Sequence, residues 1–308
     1  MSQAQSTDDS CIYVKNRATQ IKRWRDILEA LKDFLIGVID LDFRADGIQL
    51  LAMDNSHTAL AYLMLQADGF VEYRCQSRQS IGLKIADLHK AIKAMSSAEN
   101  MVFRIAKDSL RLTIIGHDEQ RHTSIEYALP SLQSNAQRFK IPQTEWGRTI
   151  QIPTKDFKNY ITTLHNTGSE TLSIEWQNGV LSLSAEEDTI SAKISVSIVE
   201  RDVAELEQSA KRQRVDESTQ EQEAPLEMHS PPFVSPSNVP DFSRRFELKY
   251  MSYFTKAEPL NAVVRVLLRP DYPLCLTYEI TAWGQLTFCL SPKMEEEEED
   301  PVGEFHEF

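Results

Sequence analysis

A chain of 308 residues holds enough material for two ordinary domains, each with its own core. With 41% hydrophobic and 26% charged residues it falls among folded globular chains, and no apolar run nears the ~18 residues of a membrane-spanning helix. The net charge of −13 argues at first against nucleic acid, but the charge is unevenly placed. Eight acids lie between Glu295 and Phe308, and Arg201–Phe242 carries a net −5, so the remainder is close to neutral.

In chain order, residues 1–10 are polar, carry no basic-then-apolar leader, and read as an unstructured extension inside the cell. An amphipathic helix is predicted over about Arg23–Leu35, with Trp24, Ile27, Leu28, Leu31 and Leu35 on one face. Strands then meet near Asp46-Gly47, a dipeptide suited to a hairpin. A second helix, near Ile85–Met95, places Leu88, Ile92 and Met95 together, and strands Met101–Ala106 and Leu110–Ile115 follow. Residues 129–146, with Pro130 and Pro142, read as a connecting loop between domains.

The third helix, about Thr154–Leu164, aligns Phe157, Tyr160, Ile161 and Leu164, and a hairpin turn falls at Asn178-Gly179. Residues 201–241 are rich in Glu, Gln, Ser and Pro and are expected to form a disordered insertion. A fourth helix, about Glu247–Ala257, precedes strands near Val263–Leu268, Leu274–Ile280 and Gln285–Leu290. Residues 295–308 read as a solvated acidic tail. Four helix-plus-strand units, two on each side of the loop, predict an α+β chain of two similar domains at 11–128 and 147–294. Helices are expected on one face of mainly antiparallel sheets.

The cysteines Cys11, Cys75, Cys275 and Cys289 form no Cys-x-x-Cys pair and sit in apolar or strand-like surroundings, which predicts buried thiols. No phosphate-cradling glycine loop and no His-Glu-x-x-His occurs. Asp54, Ser56 and His57 are the residue types of a hydrolytic triad, but neighbours in an extended segment point apart. His117, Asp118, Glu119 and His122 are read as solvated turn residues rather than metal ligands. No catalytic residue, metal or cofactor is expected.

Each helix carries positive residues away from its apolar stripe. Arg25 and Lys32 are seven apart, as are Lys249 and Lys256, while Lys90/Lys93 and Lys155/Lys158 are three apart. Exposed helix faces ordinarily carry such residues. Four matching helices in a chain that concentrates its acids elsewhere predict a basic surface for phosphate contact without base readout.

Several stretches resemble the eukaryotic sliding-clamp family, proliferating cell nuclear antigen. They include Leu28-Glu29-Ala30-Leu31-Lys32-Asp33, Gly47-Ile48-Gln49-Leu50 with Ala52-Met53-Asp54, and Asp68-Gly69-Phe70 with Tyr73-Arg74-Cys75. Phe254-Thr255-Lys256-Ala257 and Leu290-Ser291-Pro292-Lys293 continue the match in the same order. The resemblance implies a homotrimeric ring around duplex DNA, a processivity factor for DNA polymerase in the nucleus, with helices lining the hole. It implies DNA contact by Arg25, Lys32, Arg74, Lys84, Lys90, Lys93, Lys249 and Lys256, with Lys155 and Lys158 supplying charge on the third helix. It also implies a groove for peptides of DNA polymerase, clamp loader, flap endonuclease and DNA ligase. That groove would be formed by Met53, His57, Leu60, Phe139, Ile141, Pro273, Ser291, Pro292 and Lys293. Gln177 stands where many clamps carry a modified lysine.

Two other classes share part of this pattern. A subunit of a heterotrimeric checkpoint-type clamp would have the same fold with unlike neighbours. An acidic adaptor or histone-chaperone-like protein would use the tail alone and have no need of basic helix faces.

Overall fold

The computed structural model describes residues 10–107, 109–133, 149–197, 233–234, 241–268 and 272–293. The first half runs β1 (Ser10–Arg17), α1 (Ala18–Leu31), β2 (Val38–Arg44), β3 (Gly47–Met53), β4 (Ala59–Gln66) and β5 (Glu72–Cys75). It continues with β6 (Gln79–Lys84), α2 (Ile85–Ala94), β7 (Asn100–Ala106), β8 (Arg111–Asp118) and β9 (Thr123–Pro130). The second half opens with β10 (Thr149–Pro153), α3 (Thr154–His165), β11 (Thr171–Gln177), β12 (Val180–Glu187) and β13 (Ile190–Ser197). Then come β14 (Phe233–Val234), β15 (Phe242–Glu247), α4 (Leu248–Phe254), a 3-10 segment (Thr255–Leu260), β16 (Val263–Leu267), β17 (Leu274–Ile280) and β18 (Gly284–Leu290).

Each helix is followed by a three-strand antiparallel meander, but the strand ahead of each helix leaves its own unit. β1, ahead of α1, pairs with β7, while β6, ahead of α2, pairs with β2. In the second half β10, ahead of α3, pairs with β16, and β15, ahead of α4, pairs with β11. The two units of each half therefore exchange a strand, which locks them into one body.

The halves join through the last strands of two meanders. β4 and β18 pair antiparallel from Ala59↔Leu290 to Leu65↔Gly284, producing the sheet β14-β10-β16-β17-β18-β4-β3-β2-β6. Two glycines permit the close approach at the end of β4. A Cβ on Gly47 would fall 2.0 Å from the Leu65 carbonyl oxygen, and one on Gly284 would fall 1.9 Å from that of Met64. The other two meanders end at edges, in the sheets β5-β1-β7-β8-β9 and β13-β12-β11-β15.

The helices make one layer. α2 packs on α1, α1 packs on α4 and its 3-10 continuation, and these pack on α3. The expected stripe Trp24, Ile27, Leu28, Leu31 and Leu35 is buried, although α1 ends at Leu31 and Leu35 follows in the turn beyond it. Phe157, Ile161 and Leu164 of α3 are buried likewise, whereas Tyr160 is half-buried. The halves also share a core: Trp283, from the β17–β18 turn, meets Trp24 edge-on at 5.8 Å and Phe70 at 5.1 Å.

Several expectations are corrected. α1 begins five residues earlier than expected, because the Gln20 side chain accepts the Arg17 N–H at 3.0 Å and closes the first turn. Leu129 and Pro130, expected in the connecting loop, end strand β9. An edge strand tolerates proline because its outer side needs no N–H donor. Within the expected insertion, Phe233–Val234 form a strand paired with Ile150 and Gln151, an aromatic and β-branched pair between prolines. The remaining residues of 201–240, residues 134–148 and the 294–308 tail lie outside the described residues. Cys275 and Cys289, expected as free thiols, are joined by a disulfide. Their spacing hides a direct cross-strand register. Cys11 is a buried thiol as expected, and Cys75 is half-buried.

Candidate functional site

The four helices gather the predicted basic side chains into one layer, and most of these are already engaged. Lys256 of the 3-10 segment donates to Asp33 beyond α1 at 2.5 Å, and Lys158 of α3 donates to Glu258 at 3.3 Å. These pairs tie α1 to the second half and α3 to the 3-10 segment. Lys32 meets Glu29 at 2.8 Å, Lys249 meets Glu247 at 2.6 Å, Lys90 meets Asp87 at 3.6 Å and Arg25 meets Asp26 at 3.5 Å. Hydrogen bonding to Glu29 raises the Lys32 ammonium above its ordinary value. Exposed pairs of this kind contribute about 0–1 kcal/mol, so phosphates can replace the carboxylates at little cost. Among the described residues no carboxylate lies within ion-pair distance of Lys93 or Lys155.

Two members of the predicted set lie outside that layer's helical faces. Arg74 is on β5, 4.4 Å above the Tyr13 ring and 3.0 Å from Glu72. Lys84 ends β6 and is the exposed residue immediately before α2. Between α1 and α2, His89 is buried, which pushes its imidazole down, and its Nε2 lies 3.0 Å from Glu29.

The groove residues come together at one end of the nine-stranded sheet. Met53 ends β3, His57 lies in the following turn, and Leu60 is the second residue of β4. Pro273 precedes β17, and Ser291 and Pro292 follow β18, with the Ser291 N–H bonded to the Thr58 carbonyl at 3.0 Å. Met53↔Leu60, Leu60↔Cys289 and Cys289↔Cys275 are directly opposed, so one apolar row crosses the sheet. The row lies on the face away from the helices, because alternate residues of these strands fill the core. Lys293 departs from it: its Nζ donates to Thr171 at 2.7 Å and its N–H to the Arg245 carbonyl. Phe139 and Ile141 lie outside the described residues.

The turn beside this row corrects the expectation for Asp54 and Ser56, whose side chains do meet. The segment is a tight turn rather than extended chain. Asp54 accepts the N–H groups of Ser56, Thr58 and Ala59 and the hydroxyl of Tyr250 at 2.6 Å. Burial would raise the Asp54 carboxyl, but hydrogen bonds from Ser56, Tyr250 and the backbone hold it below the ordinary range. His57, exposed and left-handed at φ 59°, is tied to Asp54 only through the backbone, its N–H donating to the Asp54 carbonyl at 3.1 Å. The constellation organises a turn and gives no nucleophile–base relay. Among the described residues no group of three His, Cys, Asp or Glu is placed to hold a metal, and no helix is long and apolar enough to cross a membrane.

The open edges escaped the sequence reading. β9 is exposed over most of its length, with Ile125 at 41% and Tyr127 at 38%. β13 presents Ile190 at 50%, with Ala192 and Ile194 partly covered on the same face. An alternating strand with apolar residues left uncovered on its inward face was the available signal.

Four helix-meander units fused in pairs, with one lysine-rich helical layer, define the class as a two-domain clamp-type fold. Residues 14–137 match the family model described as the proliferating cell nuclear antigen N-terminal domain, and residues 140–293 match its C-terminal domain. The chain belongs to the proliferating cell nuclear antigen family of sliding clamps. It is 29% identical over 284 residues to a proliferating cell nuclear antigen of Chaetomium thermophilum. That match covers 92% of this chain and 98% of the relative.

Proposed function

We propose that three copies of this chain close into a ring around duplex DNA and hold replication and repair enzymes there. The observation that carries the reading is the contrast between one sealed seam and two open edges. The last strands of two meanders, β4 and β18, pair inside the chain, whereas among the described residues the equivalent last strands β9 and β13 have no neighbour on their outer side. Head-to-tail pairing of β9 with β13 of another copy would repeat the internal seam and cover Ile125, Tyr127 and Ile190. Such heterologous contacts close into rings when the rotation permits. Three is the number implied by the family resemblance.

In such a ring the helix layer faces the hole. Arg25, Lys32, Lys84, Lys90, Lys93, Lys155, Lys158, Lys249 and Lys256 would meet phosphates without reading bases, with Arg74 near the rim. The row through Met53, Leu60, Pro273, Ser291 and Pro292 would take an apolar partner peptide, with His57 at its edge. Polymerase, clamp loader, flap endonuclease and ligase are the partners implied. No reaction of its own belongs to this reading, and the nucleus is the compartment it requires.

Both edge strands of the proposed contact lie in this chain, so self-association into a homotrimer is geometrically open to it, with a checkpoint-type heterotrimer as the second reading. Light scattering across a dilution series tests this. A stable species of three times 35.2 kDa is expected. A monomer at every concentration would overturn self-closure and favour unlike neighbours.

A further inference from the structure

Cys275 and Cys289 occupy opposed positions on β17 and β18, and the ladder holds their Cα atoms 4.2 Å apart. That is the close spacing of a non-hydrogen-bonded antiparallel pair, in which side chains approach most nearly. The sheet therefore brings the sulfurs together whether or not they are bonded. Both point away from the core, in the row that also contains Leu267, Leu60 and Met53. Their exposures differ: Cys275 is 2% exposed, while Cys289 is half-buried and reachable from solvent.

We propose that Cys275 and Cys289 form a reversible redox modification site, opened and closed by a small-molecule thiol such as glutathione. The asymmetry in exposure fixes the order of events. A glutathione thiolate attacks Cys289 Sγ, the Cys275–Cys289 bond breaks, and its electron pair leaves on the Cys275 sulfur, which takes a proton from solvent. A second glutathione thiolate then attacks the glutathione sulfur of the mixed disulfide. It releases the Cys289 thiolate and oxidised glutathione, so two electrons pass from two glutathiones to the protein. Closure runs the same steps in reverse, with oxidised glutathione as the oxidant. Disulfides that persist in reducing compartments are commonly of this exchanging kind. The pair needs no oligomer to form, but it lies in the row proposed above to take a partner peptide, so its exchange is tested on the isolated chain, where peptide binding plays no part.

The test equilibrates the full chain in buffers from fully oxidised to fully reduced glutathione. Each sample is quenched in acid, alkylated under denaturing conditions, and analysed by mass spectrometry of the peptides around residues 275 and 289. The proposal expects a single transition between linked and doubly alkylated forms. Cys11 and Cys75 should remain alkylatable throughout, and the linked form should show an unfolding equilibrium about 100-fold less favourable than the reduced one. C289S should abolish the linkage and leave Cys275 alkylatable at every ratio. A chain alkylated at both positions in fully oxidised buffer overturns the proposal. So does one that stays linked in fully reduced buffer, which would make the bond a fixed structural one.

Discussion

The Tyr250 hydroxyl donates a 2.6 Å hydrogen bond to the carboxylate of Asp54, across 196 residues of sequence and from α4 to the turn after β3. The same hydroxyl lies 2.8 Å from Ser56 Oγ. This small buried network fixes the turn that ends beside the proposed partner row, and it fastens one half of the chain to the other.

Y250F removes the donor without changing the ring packing against Phe254. A buried carboxylate deprived of one partner costs about 1–3 kcal/mol, and urea unfolding should show a loss of that size. Native mass should be unchanged, because none of the three residues lies on β9 or β13. An unaltered urea midpoint would show that solvent replaces the hydroxyl freely.

The Asp54 carboxyl also sets an acid sensitivity. Its folded value lies below its ordinary 3.8, so its stabilisation is complete above that value and is lost as pH falls through the folded one. The stability gap between the wild type and D54N should thus be constant near neutrality and shrink below about pH 4. A gap that stayed constant at lower pH would contradict the depressed carboxyl.

Open edges predict which surface substitutions would dissociate the proposed ring. Y127E on β9 and I190E on β13 alter residues exposed in the single chain, so monomer stability should change by no more than about 0.5 kcal/mol. Removing a central interface anchor worth about 2 kcal/mol would weaken assembly roughly 30-fold, readable by light scattering on dilution. Equal loss of thermal stability in the isolated monomer would instead show a folding defect.

The lysines divide into two groups. Lys93 and Lys155 have no described carboxylate partner, whereas Lys256 and Lys158 tie elements of the helix layer together. K93A and K155A should each flatten the slope of log affinity against log salt by roughly 0.9 for every phosphate left without its lysine, with no change in melting temperature. K256A should lower DNA affinity and also slightly loosen the packing of α1 that Asp33 secures. Salt slopes indifferent to all three would remove the helix layer from the DNA surface.

Glycine 284 gives a packing prediction at the seam. G284A would drive a Cβ against the Met64 carbonyl oxygen, where backbone rather than a flexible side chain must yield. A destabilisation of about 1–3 kcal/mol is expected in chemical unfolding. Wild-type stability would mean that β4 and β18 separate without cost.

What the sequence disclosed depended on distance along the chain. The stripe Trp24, Ile27, Leu28, Leu31 and the Asn178-Gly179 turn are local signals, and both lie where local periodicity and turn chemistry put them. The end of β9, Leu129 and Pro130, was assigned to the connecting loop because a proline usually closes a strand and only an edge strand tolerates it. The strand exchange within each half pairs distant segments and is invisible to spacing, whereas the Cys275–Cys289 register belongs to one hairpin and depends on where its turn falls. Basic residues were legible on each helix, but the ties from Lys256 to Asp33 and from Lys158 to Glu258 required the packed helices. The groove residues were named through resemblance, since Met53 and Leu60 alone are indistinguishable from ordinary strand residues.

Retention on circular against linear DNA tests the ring most directly. The chain is loaded by a clamp loader onto a nicked circular plasmid, passed through gel filtration at high salt, and compared with the same plasmid cut once. A topological ring should stay with the circle and slide off the linear ends. Equal loss from both, or equal retention on both, would show that the chain holds DNA by surface attraction alone and does not encircle it.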